Sequence, residues 1–153
     1  MTVAFVQATR DQILSIEPQP LQDDPKTMAY GSELFRAGGV QLAGRAVAVL
    51  DNGFCLGAYG WILFWPGVSR AWALFSQVLL DEYPTVLARH VLHDLEHGEQ
   101  DLKLHRIEAT VTDAHSKAVA FLEWLDFRCE GLMRHYGPDG QDYWLYARTH
   151  DVA

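Results

Sequence analysis

The residues best suited to chemistry stand on a few short segments. His90, His93 and His97 fall close together, and His93 and His97 are at i, i+4, the spacing at which two imidazoles on one helix chelate zinc. Zinc-dependent peptide hydrolysis from such a helix needs a Glu directly after the first His, and Asp94 stands there instead. At roughly 100° per residue the three His lie within about 60° of one another, opposite an apolar stripe, which reads as a solvated face. No metal site is expected. Asp113, His115 and Ser116 have the residue types of a hydrolytic triad, but residues so close in sequence rarely reach that geometry. A G-x-S-x-G elbow is absent as well. They read as a helix start, with Asp113 as N-cap. Cys55 and Cys129 read as small apolar strand residues, with neither zinc-knuckle spacing nor a disulfide framework.

Composition narrows the classes of function. The chain has 153 residues, 49% of them hydrophobic and 21% charged, enough for one core and too apolar for disorder. It is read as one domain over 1–153. A net charge of -8 repels phosphate backbones, so no nucleic-acid partner is expected. The first residues lack a basic region ahead of an apolar run, so they are not read as a signal peptide. GAYGWILFWPG is too short to cross a membrane, and Gly and Pro interrupt it. No membrane partner and a cytoplasmic setting with reduced thiols are expected.

Elements must position any site, and their order is legible. Thr2 to Gln7 reads as a strand. Thr9 and Gln12 have capping-box spacing ahead of Ile13, Leu14 and Ile16, a short helix. Pro18, Pro20 and Pro25 mark a loop, and Lys26 to Ala37 a second helix closed by Gly38-Gly39. Val40 to Leu50 and Phe54 to Phe64 are strands around the turn Asp51-Asn52-Gly53. After Pro66-Gly67, Arg70 to Leu80 is a nearly all-apolar strand, as for one covered on both faces. Thr85 to His97 is a helix ended by Gly98. Leu104 to Val111 is a strand, with Arg106, Glu108 and Thr110 opposite Ile107, Ala109 and Val111. Ala114 to Leu125 is a helix. Phe127 to Tyr136 and Tyr143 to Arg148 are strands joined by Gly137-Pro138-Asp139-Gly140. A meander thus feeds a strand-helix-strand crossover, whose flanking strands must be parallel.

That order, strand-helix-helix-three strands-helix-strand-helix-two strands, resembles the Gcn5-related N-acetyltransferase (GNAT) fold. The opening VQATRDQIL is similar to the family's first strand and helix. HSKAVAFLEWLDF resembles its late helix, and FRCEGLMRHYGPDGQDYWLYAR its closing hairpin, the most specific of the three. The tail also resembles that of small acetyltransferase-like proteins of bacteriophages. The resemblance implies an α/β fold with a mixed central sheet of about seven strands and about four helices. It implies an acyl-CoA-dependent N-acetyltransferase using acetyl-CoA on a protein or small-amine acceptor, in a fold whose exposed strand edges often pair into homodimers. The alternative is an acetyltransferase-like fold that has lost catalysis and serves as a binding or virion-associated protein.

The resemblance also places the site. The family cradles the CoA pyrophosphate with an R/Q-x-x-G-x-G/A loop, whose glycines let backbone N–H groups approach phosphate at a helix start. Tyr83-Pro84-Thr85-Val86-Leu87-Ala88 stands there, with Tyr83 for the Arg and Pro84, Val86 and Ala88 for the glycines. Thr85, Val86, Leu87, Ala88 and Arg89 are the expected phosphate contacts, with Thr85 placed to cap the helix and Arg89 to supply charge. Backbone groups of Gln77, Val78, Leu79 and Leu80 are expected to hold the thioester carbonyl. On the late helix His115 replaces the usual Asn, Ser116 is near enough to touch the cofactor, and Leu122 replaces the Tyr that often protonates the leaving thiolate. Glu108 and His105 are the expected bases, against a structural ion-pair ladder of Arg106, Glu108 and their neighbours.

Overall fold

The computed structural model describes residues 2–17, 45–137 and 139–151. The proline-marked loop, the helix expected over Lys26 to Ala37, the start of the strand expected from Val40, and Pro138 lie outside them. Ala4–Gln7 (β1) leads into Arg10–Leu14 (α1). The expected capping box closes α1: Thr9 Oγ1 accepts the Gln12 N–H at 3.2 Å, and Gln12 Oε1 accepts the Thr9 N–H at 2.9 Å. Asn52 and Gly53 both adopt positive φ, 49° and 84°. They fold Ala46–Asp51 (β2) against Phe54–Trp65 (β3), as Asn-Gly dictates. Gly67, at φ 89°, turns the chain into Val68–Phe75 (β4).

The strand expected to reach Leu80 stops at Phe75, and Gln77–Glu82 (α2) is a helix. Ser76 is the reason. Its backbone N–H still reaches the Leu56 carbonyl at 3.0 Å, while its Oγ accepts the Leu79 N–H at 3.3 Å and starts a turn. Pro84–Asp101 (α3) follows. Gly98 does not end it; the chain leaves α3 at Lys103, whose φ is 52°. Arg106–Thr112 (β5), Ser116–Trp124 (α4), Arg128–Met133 (β6) and Tyr143–Thr149 (β7) complete the order. Gly140 N–H reaches the Gly137 carbonyl at 2.9 Å in the expected last turn.

The seven strands form one mixed sheet in the order β1-β2-β3-β4-β5-β7-β6. β5 is antiparallel to β7, and β7 to β6. β4 and β5 are parallel, as the crossover requires, in register from Val68↔Arg106 to Arg70↔Glu108. β4 runs on to Phe75 and β5 to Thr112. With four helices among the described residues, this is the expected α/β architecture.

The chain falls into two compact units: Met1–Ile62 with Ala71–Leu87, and Leu63–Arg70 with Ala88–Ala153. In the first, Ala8, Ile13, Ala48, Ala58, Trp72 and Leu74 pack one core. α2 sits close on β3 there because Gly57 has no side chain. A Cβ on it would lie 2.6 Å from Leu79 Cδ2 and 3.1 Å from the Leu74 carbonyl oxygen. In the second, Leu95, Ile107, Val111, Phe127 and Tyr146 are buried. Arg148 on β7 ties α3 to the turn after α4. Its Nε–H reaches buried Glu99 at 2.7 Å, and an Nη1–H reaches the Leu125 carbonyl at 2.6 Å. His150 pairs with the same carboxylate.

Candidate functional site

In the first unit, two helix starts follow each other closely. The expectation for Gln77, Val78, Leu79 and Leu80 changes with their conformation. On a strand all four would present N–H groups, but on α2 the Leu79 N–H is taken by Ser76 Oγ and the Leu80 N–H by the Ser76 carbonyl at 3.4 Å. Leu79 is also fully buried. Only Gln77 and Val78, at the first two helical positions, have N–H groups without an intrahelical acceptor. Both residues are exposed.

α3 begins one residue earlier than expected. The Tyr83 carbonyl accepts the Leu87 N–H at 3.1 Å, so Tyr83 takes the cap position and Thr85 lies inside the helix. Pro84 at the first position loses nothing, because the N–H it lacks has no acceptor in a helix. The N–H groups of Thr85 and Val86 remain free of intrahelical bonds. Pro84, Thr85 and Val86 are exposed, Val86 at 48%, so their side chains leave this helix end open to water. Leu87 is 1% exposed and belongs to the core, which corrects its place among the contacts. Ala88 lies within the helical ladder, and Arg89 is exposed one turn in. Tyr83 donates its hydroxyl to Asp51 Oδ2 at 3.2 Å, tying the helix start to the β2–β3 turn.

In the second unit, Glu108 is held in an ion-pair ladder. Its Oε2 accepts from Arg70 Nη2 at 2.6 Å and its Oε1 from Arg106 Nε at 3.0 Å. Arg106 continues to Glu130 through a two-pronged bond of 2.6 and 2.9 Å. Burial pushes the Glu108 carboxyl up, but the hydrogen bonds from Arg70 and Arg106 outweigh it and hold the group below the usual carboxylate range. Glu130 is lowered as well, chiefly by its bond to Arg106. A carboxylate lowered in this way is a weak base, and the ladder alternative describes its geometry.

His105 does not stand on β5 but just before it. Its N–H reaches the Gly67 carbonyl and its carbonyl accepts the His150 N–H, both at 2.9 Å. Its ring lies against Gly67, where an added Cβ would collide with it. This packing sets His105 beside the β3–β4 turn and just ahead of β5, which corrects its expected place on the strand. Ser116 is exposed at the first position of α4. The cap of α4 is His115, not Asp113, and it makes no side-chain cap bond. Its Nε2 is buried without a hydrogen-bond partner, and burial followed by the nearby Lys117 charge pushes its pKa down. His93 and His97 stack with ring centroids 3.9 Å apart, and His97 Nδ1 lies 2.9 Å from the His93 carbonyl. Among the described residues no group of three or more His, Cys, Asp or Glu is arranged to hold a metal ion. No helix there is long and apolar enough to cross a membrane.

Sequence reasoning missed Arg70, Phe64 and Tyr136. The Phe64 ring lies 5.3 Å from the Arg70 guanidinium carbon, and Arg70 Nη1 donates to Tyr136 Oη at 3.0 Å. The Tyr136 ring also lies against Tyr143, tilted by 59° at 5.1 Å between centroids. The signal was a lone cation opening an otherwise apolar strand, since a charge so placed needs a partner.

No family model matches the chain, and no curated relative does. Solved structures do match. A chimera of the spermidine N-acetyltransferase SpeG from Vibrio cholerae and hSSAT superposes with a TM-score of 0.72 at 15% identity, covering 96% of this chain and 95% of that one. The ribosomal-protein-S5-alanine acetyltransferase from Vibrio fischeri gives 0.67 at 16% identity, over 97% and 93%. An acetyltransferase of the GNAT family from Bacillus anthracis gives 0.68 at 14% identity, over 96% and 94%. At these identities the likeness is one of fold, and the fold is that of the GNAT acetyltransferases.

Proposed function

We propose that this chain is an acyl-CoA-dependent N-acetyltransferase acting on the amine of a protein or small molecule. The observation that carries the reading is the open amino end of α3. Thr85 and Val86, both exposed, have N–H groups without intrahelical acceptors there, at the positive end of an 18-residue helix. These residues fit the pyrophosphate of acetyl-CoA, with Arg89 one turn in as the nearby cation. Gln77 and Val78 on α2 are the remaining donors for a thioester carbonyl. Bound acetyl-CoA would supply an acetyl thioester, whose carbon the amine nitrogen bonds as the C–S bond breaks, the amine proton passing through water to the departing sulfur. Glu108, kept anionic by its two arginines, holds the acceptor ammonium, which gives a first proton to solvent water before the neutral amine attacks. Free Cys55 and Cys129 fit a cytoplasmic setting.

A second reading has its own support. Leu122 cannot protonate a leaving thiolate, and Glu108 is a weak base, which suits a chain that kept the fold and binds without catalysis. A phage virion-associated or host-interaction protein is one form of it. Thermal shift and calorimetry with acetyl-CoA separate the two, because a ligand of the folded state raises Tm by mass action. The transferase reading expects a saturable rise in Tm, reduced by Arg89→Glu. No rise at millimolar acetyl-CoA removes it.

A further inference from the structure

The β2–β3 turn carries a reaction of its own. Asn52 is the only asparagine in the chain, and Gly53 follows it, so asparagine chemistry in this protein is confined to this turn. The ladder closes with Asp51 opposite Phe54, which leaves these two residues as the whole loop. Both are exposed, with φ at 49° and 84°. An asparagine side chain persists where the next side chain, or the fold around it, keeps the following backbone nitrogen away from its amide carbon. Neither barrier stands here. Gly53 has no side chain, and a Cβ built on it would meet nothing within 4 Å. Exposed loop tips also open at the low end of a protein's stability range, so the turn can adjust to bring the two atoms together.

We propose that Asn52 is a site of spontaneous deamidation by water, and that its conversion uncouples the β2–β3 turn from the start of α3. The Gly53 nitrogen bonds Asn52 Cγ and passes its proton through water to the side-chain nitrogen, which leaves as ammonia when the Cγ–Nδ2 bond breaks. Water then opens the five-membered imide. Its oxygen bonds one of the two imide carbonyl carbons, and a proton returns to the Gly53 nitrogen. Opening at Cγ leaves aspartate at position 52. Opening at the main-chain carbonyl leaves isoaspartate, with the backbone routed through Cβ and Cγ and longer by a carbon. Either product adds a negative charge to a chain already at -8. The charge arises next to Asp51, whose Oδ2 accepts the Tyr83 hydroxyl at 3.2 Å, and Tyr83 caps α3. A two-residue turn with an extra backbone carbon loses the tight geometry that Asn-Gly fits, so the isoaspartate form displaces Asp51 and releases Tyr83. A resulting loss of acetyl-CoA affinity at α3 rests on the transferase reading above; the chemistry at Asn52 does not.

The test is incubation of the full chain at mildly alkaline pH, read by peptide mass spectrometry and by ammonia release. A linear peptide spanning Ala48 to Gly57 and the variant Asn52→Gly run beside it. Gly-Gly also suits this turn, so the variant keeps the hairpin and removes the amide. The full chain is expected to convert Asn52 within about tenfold of the rate of the linear peptide, as for a tip that opens easily. The rate should rise about tenfold per pH unit, because the attacking nitrogen must lose its proton. The isoaspartate form, separated by ion exchange, should melt about 2–4 °C lower, as for one lost hydrogen bond in a chain of this size. It should also bind acetyl-CoA several-fold more weakly. In Tyr83→Phe, which already lacks the hydroxyl, ageing should change Tm less. Asn52 intact once the linear peptide has converted, or equal ammonia release from Asn52→Gly, overturns the site. An isoaspartate form with unchanged Tm, or a fall just as large in Tyr83→Phe, overturns the coupling to α3. Conversion with acetyl-CoA silent sinks the transferase reading and keeps the site; acetyl-CoA binding with Asn52 unconverted does the reverse.

Discussion

Glu108→Gln separates a structural carboxylate from a catalytic one, because Gln keeps the shape and removes the charge. Two charged hydrogen bonds are lost, the 2.6 Å bond from Arg70 and the 3.0 Å bond from Arg106. The Arg70 and Glu108 side chains are 12% and 15% exposed, so the pair is neither free in water nor dry. Exposed pairs are worth under about 1 kcal/mol, and removing one partner of a fully buried pair costs roughly 3–5 kcal/mol. Arg106 keeps Glu130, and the Gln oxygen retains one neutral bond, which places the expected loss near 2 kcal/mol. Urea unfolding followed by fluorescence of the five Trp reads it. Combining Arg70→Gln with Glu108→Gln should show a coupling of about 1–2 kcal/mol, since the residues share a bond. In acetyl transfer the variant should raise KM for the acceptor and leave the acidic limb of the kcat profile in place. Stability within about 0.5 kcal/mol of the parent, together with loss of that limb and a fall in kcat of about a hundredfold or more, would refute the ladder and restore Glu108 as the base.

Gly57→Ala should destabilise the first unit by roughly 1–3 kcal/mol, since its Cβ would press on Leu79 and on the Leu74 carbonyl, and chemical denaturation measures it. Acidification should lower stability in two stages, read as urea midpoints against pH. His115 has a folded pKa below its ordinary 6.5, so its contribution is complete above that value and erodes as pH falls beneath it. Glu108 and Glu130 lie below their ordinary 4.5, so theirs is complete above 4.5 and lost further down. His115→Asn should flatten the first stage alone.

What the sequence disclosed depended on how local each cause was. The Thr9–Gln12 capping box and the Asn52–Gly53 hairpin are fixed by neighbouring residues, and both form as expected. The end of β4 is not local. Arg70 to Leu80 is one apolar run, and what breaks it is the Ser76 cap together with the room that Gly57, on β3, leaves for Leu79. Gly98 looked like a helix stop, yet it is buried, and the next residue, Glu99, is held by Arg148 from β7, so the helix runs on. Arg106 and Glu108 were legible as one strand face by alternation. Their partners Arg70 and Glu130 lie on other strands, so whether Glu108 was base or ladder could not be read from the segment.

The loop before α3 shows why a motif can fade while its physical function stays available. Glycines at a phosphate loop matter where the ligand approaches from the direction of the missing Cβ. Here the first-turn N–H groups of Thr85 and Val86 point off the helix end, Pro84 gives up only a donor that had no helical acceptor, and the side chains stand in water. The loss is of charge. Tyr83 stands where the family has Arg, and its hydroxyl is spent on Asp51, so it braces the β2–β3 turn and gives nothing to an anion. In a chain of net charge -8, long-range attraction for a diphosphate is then absent, and affinity must come from short-range amide contacts and Arg89. If the proposed site holds a diphosphate, it is expected to do so weakly and with little dependence on salt, which titration at low and high ionic strength reads.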